Sequence, residues 1–88
     1  MNTENAKKLY EKQAAICILQ QQMIDCFKEQ EKIFAEESTS DKMGGNPMLL
    51  AIAFMISQTR KQYTEMMEPI TNNLETYKHL IEISEMDD

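Results

Sequence analysis

The sequence has few of the residues that catalytic and cofactor sites require. It has no tryptophan, one arginine and one histidine. Both glycines are adjacent, and the Gly44-Gly45 pair lacks the spacing and the following Lys-Ser/Thr of a phosphate-binding loop. Two cysteines and one distant histidine, His79, do not make a zinc site, and no Ser/His/acid set can be placed. We therefore expect no enzyme activity, no metal site and no cofactor.

Basic residues are also scarce. The chain has 15 acidic residues against 9 basic ones, which gives a formal net charge of −6. Nucleic-acid binding neutralises phosphates with clustered Lys and Arg, and anionic membrane surfaces attract the same residues. The composition therefore argues against nucleic acid and membrane as partners and favours protein.

Long apolar runs are missing as well. The longest, residues 48–56, falls well short of the ~18 residues that a membrane-spanning helix needs. The start is polar through Lys8, without the apolar core of a signal peptide. We expect a soluble, cytoplasmic protein.

The two cysteines, Cys17 and Cys26, lie on one predicted helix. At ~100° and 1.5 Å per residue they point to opposite sides, and this spacing excludes a bond between them unless the helix breaks. The main interpretation is a pair of reduced thiols in a reducing compartment. The alternative is an intermolecular disulfide.

Two helix-length segments with one break between them make up the sequence. The break, residues 38–47, has the sequence Ser-Thr-Ser-Asp-Lys-Met-Gly-Gly-Asn-Pro and contains both glycines. We predict one all-α domain: a long, antiparallel, coiled-coil-like helical hairpin with helices at 4–37 and 47–84 and a linker at 38–46. A hairpin buries little surface by itself, so we also expect an oligomer.

Residues at the helix ends support these bounds. Thr3 or Asn5 is expected to cap the first helix. Asn46 is a good cap for the second, and Pro47 suits its first position because proline lacks an N–H that would be unbonded there. Folding about residue 42 would bring lysines near the start beside glutamates near the end: Lys7, Lys8 and Lys12 beside Glu75, Glu82 and Glu85.

The second segment has the apolar seam of a left-handed coiled coil, with a spacing that alternates four and three. Arg60, its one basic member, is expected to extend along the seam or to pair with a glutamate of the facing helix. Alternatively it binds an anionic group on a partner. The seam comprises Leu49, Ala53, Ile56, Arg60, Tyr63, Met67, Ile70, Leu74, Tyr77 and Ile81.

Pro69 falls inside this seam. A proline within a helix removes one hydrogen bond and clashes with the preceding turn, at a cost of ~3 kcal/mol. Because the seam keeps its phase through Pro69, we predict one helix that is kinked there. The alternative is that Pro69 begins a third helix, which would make a compact three-helix bundle.

The first segment has apolar rows at helical spacing that are wider than a simple two-row seam. Gln13, Gln20 and Gln30 lie on or beside them, either tolerated at a wet seam or fixing the pairing register. The two main rows are Leu9, Ile16 and Met23, and Leu19, Cys26 and Ile33. Phe27 and Phe34 form a third row, and Tyr10, Cys17 and Ile24 flank them.

Two stretches are apolar on every face, residues 16–19 and 48–56, and one hairpin covers only part of them. Eight methionines suit a surface that repacks around a partner. The predicted partner interface comprises Ile16, Ile18, Leu19, Leu50, Phe54, Met55, Arg60, Met66 and Met67.

The fragment Asn46-Pro47-Met48-Leu49-Leu50-Ala51, with Tyr63 further on, is similar to the loop-to-second-helix signature of type III secretion needle subunits. The similarity covers residues 46–63. It implies a helical hairpin with a proline-containing turn near its middle, and a filament as the assembled form. The chain departs from those subunits in its cysteines, its methionines and its acidic end.

Three functional hypotheses follow. The first is a non-enzymatic interaction module (an adaptor, chaperone or assembly subunit) that self-associates or binds a helical partner protein. The second is an acidic inhibitor of phage type that occupies a basic groove on a host nucleic-acid enzyme. The third is a needle-like secretion subunit or its co-chaperone.

Overall fold

The computed structural model describes residues 1–38 and 47–87. These residues form two long helices, α1 (Thr3–Ser38) and α2 (Pro47–Asp87), and no strand. The predicted all-α hairpin is therefore confirmed, and its helix bounds lie within three residues of those expected. Most of the predicted linker, residues 39–46, lies outside the described residues, as does the predicted Asn46 cap.

The start of α1 is capped by Asn2 rather than by Thr3 or Asn5, so that prediction is wrong. The Glu4 backbone N–H donates to Asn2 Oδ1 at 2.7 Å, and the Ala6 N–H donates to the Asn2 carbonyl at 3.0 Å. The Asn2 side chain thereby satisfies one N–H group that a helix start leaves unbonded, and the Asn2 carbonyl accepts the first i→i−4 bond of α1.

Helix α2 begins at Pro47, as expected, and continues without interruption through Pro69. The alternative in which Pro69 begins a third helix is therefore wrong. The seam explains this outcome, because residues on both sides of Pro69 keep the same spacing and pack in the same direction. The bend at Pro69 remains a prediction.

The contacts divide the chain into two units, each containing a segment of both helices. Unit 1 consists of Met1–Gln21 with Met66–Asp88, and unit 2 consists of Gln22–Glu65. Within each unit the two helix segments run antiparallel.

Unit 1 is held by contacts between the start of α1 and the end of α2. Lys7 Nζ lies 3.9 Å from Glu85 Oε1. The Gln13 side-chain amide donates to the Ile70 carbonyl at 3.0 Å, and the Cys17 thiol lies 3.8 Å from the same oxygen. Two side chains of one helix therefore converge on one carbonyl of the other.

Unit 2 is held by an aromatic pair and an ion pair. The rings of Phe27 and Tyr63 stack with centroids 5.5 Å apart and planes inclined by 23°. Arg60 Nε donates to Glu31 Oε2 at 2.6 Å, and both side chains are about three-quarters buried.

The pairs Lys7–Glu85, Phe27–Tyr63 and Glu31–Arg60 have residue numbers that average 45 to 46, above the predicted centre at residue 42. The two contacts to the Ile70 carbonyl, from Gln13 and Cys17, average 41.5 and 43.5 and lie near that centre. Only part of the expected lysine pairing is present. Lys7 reaches Glu85 as predicted, whereas Lys8 lies 3.7 Å from Glu4 on its own helix.

The seam of α2 matches its prediction, since all ten predicted residues are half-buried and Ser84 continues the row as a buried residue. The seam of α1 matches only in part, because the predicted third row and flanking row are buried or half-buried but the two main rows are not: the matching residues are Phe27, Phe34, Tyr10, Cys17 and Ile24. The rows beginning at Leu9 and Leu19 are exposed. The residues of α1 that are buried or half-buried at alternating spacings of four and three are Ala6, Tyr10, Gln13, Cys17, Gln20, Ile24, Phe27, Glu31 and Phe34.

Candidate interaction surfaces

Heptad letters a to g describe where each residue of α1 and α2 lies relative to the seam of its helix. Position a is taken by Tyr10, Cys17, Ile24 and Glu31 in α1 and by Ala53, Arg60, Met67, Leu74 and Ile81 in α2. Position d is taken by Ala6, Gln13, Gln20, Phe27 and Phe34 in α1 and by Leu49, Ile56, Tyr63, Ile70, Tyr77 and Ser84 in α2.

Each helix has two flanks beside its seam. Because successive residues turn by ~100°, positions b and e project from one side of the seam and positions c and g from the other. We call these the b/e flank and the c/g flank. Lys7 and Glu85 both occupy position e and lie side by side, so the b/e flanks of α1 and α2 meet at one edge in unit 1.

Unit 2 has the same arrangement, and there the b/e edge forms a groove. The groove encloses about 290 Å³. Three of its lining residues, Ala35, Leu50 and Ser57, occupy position e, which places it on the b/e edge. The lining residues are Glu31, Phe34, Ala35, Leu49, Leu50, Ala53 and Ser57.

Two large apolar side chains are exposed on this flank. Leu50 lines the groove and is 52% exposed. Phe54, one turn further along α2, is 65% exposed. Lys28, Lys32 and Lys61 also belong to the b/e flank of unit 2. In an acidic chain this flank is therefore locally basic, with an apolar groove.

The c/g flank of unit 2 has a different character. Its residues from Met23 to Ile33 and from Met48 to Gln62 include no charged side chain, and Glu37 follows only in the last turn of α1. Large apolar side chains are exposed along it on both helices. The c/g residues of this unit are Met23, Cys26, Gln30, Ile33 and Glu37 in α1 and Met48, Ile52, Met55, Thr59 and Gln62 in α2.

Unit 1 repeats this pattern on its own c/g flank. Leu9, Ile16 and Leu19 are exposed there, and Lys12 lies among them. Helix α2 contributes a second set. These residues are Met66, Pro69, Asn73, Thr76, Leu80 and Ile83, with Asp87 at the end.

The predicted interface residues do not share one face. Ile16, Leu19, Met55 and Met66 lie on c/g flanks, whereas Ile18, Leu50 and Phe54 lie on b/e flanks. Arg60 and Met67 lie in the seam. Arg60 already pairs with Glu31 of the facing helix. The sequence analysis expected such a pair as one of the arrangements of Arg60.

The sequence interpretation missed Ile33 as a surface residue of the c/g flank, and it left Met48 and Ile52 out of the listed interface although both lie in the predicted apolar stretch 48–56. The signal was present, since Cys26 and Ile33 continue a seven-residue repeat from Leu19. That repeat was assigned to the hairpin seam, whereas in the structure it faces outwards.

Two further features are absent from residues 1–38 and 47–87. No three His, Cys, Asp or Glu side chains in these ranges are grouped so that they could hold a metal ion. Neither helix has, over its described length, an apolar stretch long enough to cross a bilayer. Both cysteines are free.

Comparisons with known proteins found no matching family model, no matching curated protein and no matching solved structure.

Proposed function

We propose that this protein is a non-enzymatic protein–protein interaction module, an adaptor, chaperone or assembly subunit, that acts through apolar, Met-rich helical surfaces and self-association. The observation that carries the proposal is the groove of unit 2, with Leu50 and Phe54 exposed beside it. An amphipathic helix of another protein suits such a groove, because its apolar side chains enter the groove in successive turns.

Energetics support this use of the groove. Burying a Leu or Phe side chain contributes about 1.5–3 kcal/mol relative to leaving it exposed. Leu50 and Phe54 therefore offer a partner a large gain for a small contact. Large exposed side chains at the centre of a concave surface are also where binding energy concentrates in interfaces.

The charges beside the groove define the partner further. Lys28, Lys32 and Lys61 share its flank, opposed there by Asp25. A helix with an apolar stripe and acidic residues beside the stripe is complementary to this surface. Such charges at a rim mainly increase the rate and selectivity of association.

An acidic surface supports a second candidate function. Glu68, Glu75 and Glu82 repeat every seven residues at position b of α2 in unit 1, and Glu4 and Glu11 occupy position b of α1. This surface suits a basic partner, as the inhibitor hypothesis requires. Binding through this surface would weaken steeply with salt, whereas binding through the groove would weaken less, because salt screens its rim charges but not its apolar contacts.

The experiment compares three baits in a pull-down from the native host: the wild type, Phe54→Asp and Gln58→Asp. Gln58 is exposed at position f, away from the groove, so it controls for the added charge and for the helix propensity of Asp. Proteins retained by the wild type are then purified, and their affinities for all three baits are measured at low and high salt.

We expect Phe54→Asp to weaken binding of the purified partner at least about tenfold, because the introduced carboxylate is desolvated without a counter-ion. Equal binding to all three baits would exclude the groove. If all three baits bind the partner with equal affinity and that binding is lost at high salt, the acidic inhibitor is favoured. A filament seen by light scattering would favour the needle-like hypothesis.

A further inference from the structure

We infer that the c/g flank of unit 2 is the surface on which a second copy of this chain packs. The inference rests on the self-association included in the proposed function and assigns a surface to it. That surface is distinct from the groove, which lies on the opposite flank of the same unit.

The first observation is a second apolar row on each helix. Positions c and g alternate in spacing by three and four, and apolar side chains occupy most of them from Met23 to Ile33 and all of them from Met48 to Met55. This is the pattern by which one helix packs against another at a shallow angle. The exposed apolar members are Met23, Cys26, Ile33, Met48, Ile52 and Met55.

The second observation is that each copy of the chain carries a suitable partner for its own apolar row. A helix with this period packs best against another helix with the same period. Each copy of the chain supplies two of them on one edge, one from α1 and one from α2. Two copies related by a twofold axis would therefore bring the same apolar patch together from both sides, as in most closed homodimers.

The third observation is charge. Each copy carries a formal net charge of −6, so most faces of two copies would repel. The c/g flank of unit 2 is uncharged from Met23 to Ile33 and from Met48 to Gln62. Two copies in contact there keep their carboxylates apart and desolvate no unpaired charge along these stretches.

The fourth observation is the small core of the hairpin. Among the described residues, the buried apolar core comprises Ala6 and Ile24, so association supplies burial that the hairpin lacks.

The test uses neighbouring residues that point to different flanks. Sedimentation velocity is measured from low to high micromolar concentration for the wild type, Met55→Asp, Phe54→Asp and Gln58→Asp. Met55 lies on the c/g flank and Phe54 on the groove flank. Circular dichroism of each variant shows whether the helices are retained, which is expected because all three side chains are exposed.

We expect the wild type to form a discrete associated species and Met55→Asp to raise its dissociation constant at least about tenfold. Phe54→Asp and Gln58→Asp should associate as the wild type does. Any other pattern overturns the inference, including a folded wild type that stays monomeric. If Phe54→Asp weakens association and Met55→Asp does not, self-association lies on the groove flank.

A thiol measurement gives an independent readout. In a Cys17→Ala variant, Cys26 is the one remaining thiol, and it lies exposed on the c/g flank. Its alkylation rate should fall as protein concentration rises, and adding Met55→Asp should remove that dependence. A rate independent of concentration overturns the inference. The partner affinity of Phe54→Asp is a separate measurement, so failure of the proposed groove function would be recognised separately.

Discussion

Gln13 donates its side-chain amide hydrogen to the backbone carbonyl of Ile70 across 3.0 Å. Gln13 is buried at 8% exposure, and Ile70 follows directly after Pro69. A buried donor that finds its acceptor on the facing helix contributes to stability, and it penalises any slipped pairing that leaves it unsatisfied. This contact supports register control as the role of Gln13.

The first prediction replaces this donor with an acceptor. Gln13→Glu keeps the shape of the side chain but places a carboxylate against the Ile70 carbonyl. We expect the free energy of unfolding in urea at neutral pH to fall by about 1–3 kcal/mol. Gln22→Glu, at an exposed position of the same helix, is the control and should change it little. Equal effects of both variants would mean that the hydrogen bond is unimportant.

The second prediction concerns the ion pair of Arg60 and Glu31. Because both side chains are about three-quarters buried and joined at 2.6 Å, the pair is less screened than a surface pair. We expect a double-mutant cycle of Arg60→Met and Glu31→Gln to give a coupling of about 1 kcal/mol that largely persists at high salt. Strictly additive effects would show that the two side chains do not stabilise each other.

The third prediction concerns Pro69. Since α2 is continuous through this residue, Pro69→Ala restores an N–H to the helix and should raise the thermal midpoint, by up to ~3 kcal/mol in unfolding free energy. If a bend at Pro69 serves association, the same variant should also change the associated mass or partner affinity. A loss of stability would contradict the uninterrupted helix.

The fourth prediction concerns Lys7 and Glu85, whose side chains are more than half exposed. Lys7→Glu should lower the melting temperature at low salt by the equivalent of at most ~1 kcal/mol, and should have little effect at 1 M salt. Lys12→Glu is the comparison, because Lys12 lies on the opposite flank from Glu85. An equal decrease at both salt concentrations would mean that the charge contact is not responsible.

The hairpin and the seam of α2 could be predicted because spacing alone determines them. From Leu49 to Ile81 the residues at alternating spacings of three and four are almost all apolar, and no competing set of equal regularity exists on that helix. Pro69 did not disturb the prediction, since phase depends on the spacing of side chains and not on one missing hydrogen bond.

The seam of α1 could not be chosen in the same way. Its buried members include Gln13 and Gln20, whereas Ile16 and Leu19 are exposed. Hydrophobicity selects the larger apolar side chains, but partner hydrogen bonds such as that of Gln13 decide which face turns inwards. The groove was also missed, because it depends on residues of both helices brought together by the register.

The outward-facing repeat of α1 has a consequence for folding. The repeat that begins at Leu9 and Ile16 is more apolar than the seam that is actually buried, and the two lie about 110° apart around the helix. A chain that collapses on hydrophobicity alone would therefore turn α1 the wrong way and form a rotated hairpin. The Gln13 amide would then lose the Ile70 carbonyl as its partner, so this hydrogen bond favours the observed hairpin over the rotated one.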